Sequence, residues 1–173
     1  MVCCASLGLT SLADAQIVAL GASITYGTGV PRSAAYPAQL EALLNERGLA
    51  VKVTNAGVRG QTVAEMLSHL DAVVPNGTRL VIFQPGGNDA RAGADWLTVR
   101  ADIHKVLRQL RARGIKVLVV RNADFEHIPA DMRQSDHIHL TAEGCKRLAE
   151  ELLPRVLVAL EEPLQSEPDV PHP

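Results

Sequence analysis

Ser23 stands in Gly21-Ala22-Ser23-Ile24-Thr25-Tyr26-Gly27, directly after the apolar run Ile17-Val18-Ala19-Leu20. A short continuous apolar run bounded by glycine reads as a buried parallel strand. A serine just past it lies at the carboxyl edge of the sheet, where open α/β sheets place their chemistry. Ser23 is therefore a candidate nucleophile. The plainer reading is that Ser23 or Thr25 caps the next helix, since both residue types are preferred caps. A nucleophilic serine needs a base within hydrogen-bond reach and a third group that holds the base in the right tautomer. Asp136-His137-Ile138-His139 supplies both. An Asp three residues before a His can accept from Nδ1–H and leave Nε2 free, so His139 is the candidate general base and Asp136 its orienter. His137 is the internal competitor, and a loop histidine on its own is more often structural than catalytic.

Acyl transfer also needs donors fixed in advance around a developing oxyanion. The candidates are the backbone N–H of Ser23, the N–H of Gly60, where a missing side chain permits close approach, and the side-chain amide of Asn88 on its glycine turn. Each loop alone is weak, because Asn and Gly populate ordinary turns. The succession Ser, Gly, Asn and Asp-x-x-His along one chain is much stronger.

The elements that must carry these residues alternate. A helix opens at Tyr36-Pro37, repeats Leu40, Leu43 and Leu44 at the helical period and closes at Arg47-Gly48. Val51 to Val53 is a short second strand running into the loop Asn55 to Thr62, and a helix then passes through Val63, Met66, Leu67 and Leu70. Leu80 to Phe83 is a third, central strand ending at Pro85-Gly86-Gly87-Asn88-Asp89. A helix from about Trp96 to Arg113 leads to a fourth strand, Ile115 to Val120. Arg121 to His139 shows no period and reads as a surface loop. The last helix starts near Thr141, with Pro154 expected to kink it. Four strand–helix alternations imply a parallel sheet with helices on both faces.

At 173 residues, with a formal net charge of -2 and no long charged run, the chain fits one domain, with nothing to suggest nucleic acid or an anionic membrane surface as partner. Met1 to Ala15 is small and apolar and ends in Ala13-Asp14-Ala15, the pattern of a signal-peptide cleavage site. The usual positive n-region is missing, so the segment reads as a truncated signal or a plain extension. The expected organisation is a leader at 1–15, a catalytic domain at 16–160 and a disordered Pro-rich, acidic tail at 161–173, with export to a periplasm or medium and no membrane anchor. Cys3 and Cys4 fall in the leader. Cys145 remains, as a small buried residue, and no metal-ligand spacing of Cys or His occurs.

Four blocks, Gly21-Ala22-Ser23-Ile24, Asn55 to Thr62, Gly86-Gly87-Asn88-Asp89 and Asp136-His137-Ile138-His139, resemble in order and placement the four blocks of the SGNH (GDSL) hydrolase superfamily. The likeness covers about Ile17 to Leu160. It is nearest to the bacterial arylesterase, acyl-CoA thioesterase and lysophospholipase branch. It implies a flavodoxin-like three-layer α/β/α fold with a short parallel sheet of four or five strands. The implied activity is a metal-independent, cofactor-free serine esterase acting on small-molecule acyl esters or thioesters. By position the resemblance makes Ser23 the nucleophile and His139 and Asp136 the rest of the triad. Gly60 and Asn88 complete the oxyanion hole with the Ser23 N–H.

The departures are specific. Ala22 stands where the family usually has an Asp that braces neighbouring loop N–H groups. Arg59-Gly60-Gln61 replaces a small-Gly-Asp sequence and puts a positive charge near the pocket. The chain between the fourth strand and the histidine block is short, which implies an open pocket and a preference for short acyl groups. The alternatives are a carbohydrate O-acetyl esterase, a non-catalytic binding module on the same fold, and a flavodoxin-type nucleotide binder using Gly27-Thr28-Gly29. The last lacks both a Walker lysine and a G-x-G-x-x-G turn.

Overall fold

The computed structural model describes residues 16–121 and 123–161. The leader expected at 1–15 and, apart from Glu161, the tail expected at 161–173 lie outside these residues. Four strands, β1 (Gln16–Gly21), β2 (Lys52–Gly57), β3 (Thr78–Phe83) and β4 (Lys116–Val119), form one parallel sheet in the order β2-β1-β3-β4. The two central strands are the two continuous apolar runs. Ile17 pairs with Val53 on one side and Leu80 on the other, and Val81 pairs with Val117.

Successive side chains of a strand point to opposite faces, so a run apolar at every position feeds two cores. Ile17, Ala19, Leu80 and Ile82 pack with Leu40 and Leu44 of α2 (Tyr36–Glu46) and with Leu148, Leu152 and Val156 of α8 (Ala142–Glu161). On the other face, Val18, Leu20, Val81 and Phe83 pack with Val63 and Met66 of α3 (Val63–Ser68) and with Val106 and Leu110 of α6 (Trp96–Ala112). The result is the expected three-layer α/β/α arrangement with a four-stranded sheet among the described residues.

Three local readings change. β2 runs on through Thr54, Asn55 and Ala56 to Gly57, so the start of the expected loop, Asn55 to Gly57, is strand. The helix expected to pass unbroken through Leu70 divides at His69 into α3 and α4 (Leu70–Val73), where the His69 backbone leaves helical geometry at φ -123° and ψ 17°. The segment after β4 contains α7 (Ala123–Glu126) and a single 3₁₀ turn, Ala130–Met132, and buries Phe125 and Ile128 against the α8 core. Pro154 sits inside α8 without ending it. No helix among the described residues is long and apolar enough to cross a membrane.

Candidate active site

The site is built from the carboxyl ends of β1, β2 and β3. β1 ends at Gly21, where a Cβ would lie 2.3 Å from Thr25 Oγ1. That hydroxyl donates to Gln84 Oε1 at 2.8 Å, and Gln84 N–H donates to the Leu20 carbonyl at 2.9 Å, tying the serine turn to the end of β3. The short helix α1 (Ser23–Tyr26) follows, with Ala22 as N-cap and no side-chain cap. The capping reading therefore fails for both residues: Thr25 is engaged with Gln84, and Ser23 Oγ has no hydrogen-bond partner among the described residues. As first residue of α1, Ser23 also has a backbone N–H without an intrahelical acceptor. The Ala22 methyl is packed into the core beneath.

Gly57 lets β2 approach this turn, because a Cβ there would sit 2.3 Å from the Tyr26 nitrogen. The next residue, Val58, donates its N–H to the Gly21 carbonyl at 3.1 Å. Gly60 is fixed by its backbone conformation. Nothing lies within 4 Å of its would-be Cβ, and its φ of +76° is what selects glycine. Its surroundings are open to solvent.

Gly86 and Gly87 both take positive φ, +94° and +82°, and turn the chain so that Asn88 starts α5 (Asn88–Arg91). Asn88 Nδ2 donates to the Gln61 carbonyl at 2.9 Å, and its Oδ1 accepts from Arg91 at 2.9 Å. These two bonds fix the amide orientation and leave one N–H of the amide for another acceptor. The buried carboxylate of Asp89 accepts from the Val63 N–H at 3.1 and 3.3 Å. The loops carrying Gly60 and Asn88 are thus bonded to each other twice, and Asp89 supplies a brace where position 22 has none to offer.

Asp136 Oδ2 meets His139 Nδ1 at 2.5 Å, while Oδ1 accepts the N–H groups of Ile138 and His139 at 3.0 and 2.9 Å. These bonds, led by the one from the imidazole, hold the Asp136 carboxyl well below the usual carboxylate range. An ionised Asp136 can only accept, so Nδ1 carries the proton and Nε2 is the basic nitrogen. His137 has φ +57°, lies in the turn closed by its N–H to the Gln134 carbonyl at 2.9 Å, and is exposed.

The histidine loop is fastened to the serine turn by backbone and amide bonds rather than by a direct bond between His139 and Ser23. Thr28 N–H donates to the Ser23 carbonyl at 3.0 Å, Gln134 Nε2 donates to the Thr28 carbonyl at 2.7 Å, and Gln134 N–H donates to the His139 carbonyl at 2.8 Å. Serine–base contacts are commonly long in free enzymes and tighten when substrate binds. Gln134 and Gln84 have no counterpart among the residues that the sequence singles out, since a lone glutamine carries no periodic or motif signal.

The pattern of the GDSL-like Lipase/Acylhydrolase family matches residues 19–171. The chain belongs to this family. Among relatives of this GDSL-like chain is Esterase TesA of Pseudomonas aeruginosa, 32% identical over 120 residues, which make up 68% of this chain and 60% of that protein. The chain thus spans under two thirds of the length of that relative. In three dimensions the GDSL-like fold here resembles the crystal structure of TesA, with a TM-score of 0.76 at 23% identity over 83% of this chain and 99% of that one. It also resembles AlinE4, an SGNH-hydrolase family esterase, with a TM-score of 0.64 at 26% identity over 86% and 98%.

Proposed function

We propose that this chain is a serine esterase that cleaves small carboxylic esters or thioesters through an acyl-enzyme, with residues 16–160 as the catalytic unit. The observation that carries the reading is the Asp136–His139 contact through Nδ1, which leaves Nε2 basic on a loop fastened to the Ser23 turn. Ser23 Oγ attacks the acyl carbon and its proton passes to His139 Nε2. The carbonyl oxygen becomes an oxyanion held by the N–H groups of Ser23 and Gly60 and the free amide N–H of Asn88. His139 then returns the proton to the departing alcohol or thiol, and water repeats the sequence in reverse to free the acid.

A cavity of about 520 Å³ opens beside Gly86 and Gly87, walled by Trp96, Val99, Ile103 and Val119. Its apolar wall on the Asn88 side suits the acyl chain, and a volume toward the lower half of the range for ligand sites supports short acyl groups. Ala13-Asp14-Ala15 supports export of the catalytic unit.

Hydrolysis of para-nitrophenyl acetate, butyrate and octanoate tests the reading. Wild type is expected to favour acetate or butyrate, and Ser23→Ala to lose roughly 10⁴-fold or more in rate. Equal activity of the two proteins overturns the assignment of Ser23, and preference for octanoate overturns the short-acyl reading. Turnover of sugar acetates alone moves the assignment to the carbohydrate O-acetyl esterase alternative.

A further inference from the structure

Tyr26, the last residue of α1, carries two guanidinium groups on its ring. Arg32 lies 4.3 Å and Arg59 4.5 Å from the ring centroid. Both arginines are exposed, and among the described residues neither forms an ion pair. Arg32 spends one N–H on the Tyr26 carbonyl at 2.8 Å, and Arg59 makes no hydrogen bond there at all. Two like charges gathered on one ring repel each other, and an anion placed between or beside them relieves that repulsion. Guanidinium groups stacked on an aromatic face keep their outer N–H edges free for bidentate binding of carboxylate or phosphate.

The place of this pair in the fold says which part of a substrate it would meet. Arg59 precedes Gly60, and Gly57 presses the start of that loop against Thr25 and Tyr26. The pair therefore sits on the β2 side of Ser23, whereas the apolar cavity sits on the β3–β4 side, with β1 between them. An ester bound at Ser23 with its acyl chain in the cavity directs its alcohol or thiol portion the other way. The Gln134 bond to Thr28 brings the histidine loop to the same side, as protonation of the leaving group requires.

We propose that Arg32 and Arg59, stacked on Tyr26, recognise an anionic group, carboxylate or phosphate, on the leaving-group portion of the ester. This rests on the esterase reading and adds the chemistry of the alcohol or thiol.

The test uses three aryl butyrates that differ in the para substituent: para-butyryloxybenzoate, its neutral methyl ester, and para-butyryloxyphenyl phosphate. Phenol release is followed for wild type, Arg59→Gln, the Arg32→Gln/Arg59→Gln pair and Arg59→Lys. Each variant is compared with wild type on the same substrate, so the intrinsic reactivities of the phenols cancel. The double variant is expected to lose about tenfold more kcat/KM on an anionic ester than on the methyl ester, chiefly through KM. Arg59→Lys keeps the charge but not the stacked fork, so it should fall between wild type and Arg59→Gln, and about 0.5 M salt should shrink the difference. The anion that suffers more identifies the carboxylate or the phosphate as the natural group. Equal losses on all three esters overturn the proposal and make the pair a structural support of the Tyr26 turn. If wild type cleaves none of the three, the esterase reading itself falls and this proposal with it.

Discussion

The Gln134 side chain donates to the Thr28 carbonyl at 2.7 Å, and through that one bond the histidine loop is held against the turn that carries Ser23. The same Nε2 donates to the Leu140 carbonyl at 2.7 Å. Gln134→Met keeps the bulk and removes both donors. It should cost about 1–3 kcal/mol of stability, and at temperatures where it is folded it should lower kcat by about tenfold or more with KM little changed. Steady-state kinetics beside a urea titration check this. A drop in stability with kcat intact makes Gln134 a structural residue only.

Gly57 meets the backbone of α1, with the Tyr26 nitrogen at 2.3 Å and the Thr25 carbonyl carbon at 2.7 Å from its would-be Cβ. Backbone cannot swing aside as a side-chain tip can. Gly57→Ala should therefore destabilise by about 3 kcal/mol, the upper end for overpacking. Gly60→Ala has no clash to relieve and pays only for its positive φ, about 1 kcal/mol. Denaturant midpoints of the two variants should rank in that order.

Asp136 is held well below its ordinary value of 3.8 by the His139 imidazole and two backbone N–H groups. A depressed folded-state value contributes stability above the unfolded value and loses it as pH falls through the folded one. Denaturation of wild type and Asp136→Asn between about pH 6 and 2 should show the wild-type advantage fading below about pH 4. Because Asp136 stays ionised throughout the working range, it sets no limb of the pH–rate profile. Asp136→Asn should nonetheless lose about 10⁴-fold in kcat, since the amide can favour the wrong imidazole tautomer.

Cys145 lies in the core beside Tyr36, and burial pushes its thiol up from 9.0 to about 11, partly opposed by a hydrogen bond with the Tyr36 backbone. Its contribution is full below about pH 9 and is lost as pH rises toward 11. In a Cys3→Ser/Cys4→Ser background, native protein at about pH 8 should leave a disulfide reagent unreacted, and the reagent should titrate Cys145 once the protein is unfolded.

The central strands were legible because β1 and β3 carry continuous apolar runs, Ile17 to Leu20 and Leu80 to Phe83, which is what burial on both faces demands. β2 was read too short. It is an edge strand, and Thr54, Asn55 and Ala56 are only half-buried, so its later half carries no hydrophobic signal. The apolar period through Leu70 continues in phase across His69, and periodicity does not register a change of φ at a single residue. In the segment after β4, Phe125 reaches the core from a one-turn helix and Ile128 from the bend after it, pieces too short to show a period. Within the site, Asp136 and His139 were readable because their contact is local, three residues apart. Gln134 and Thr28 are 106 residues apart, and only the folded chain brings them together.

Covalent trapping reads out the proposed nucleophile, Ser23, at the residue itself. Wild type and Ser23→Ala are treated with a small alkyl fluorophosphonate, and intact masses and peptide maps are recorded. One adduct on wild type, located at Ser23 and missing from Ser23→Ala, is the predicted result. An adduct that persists on Ser23→Ala, or a folded wild type that takes none, rules out Ser23 as the nucleophile.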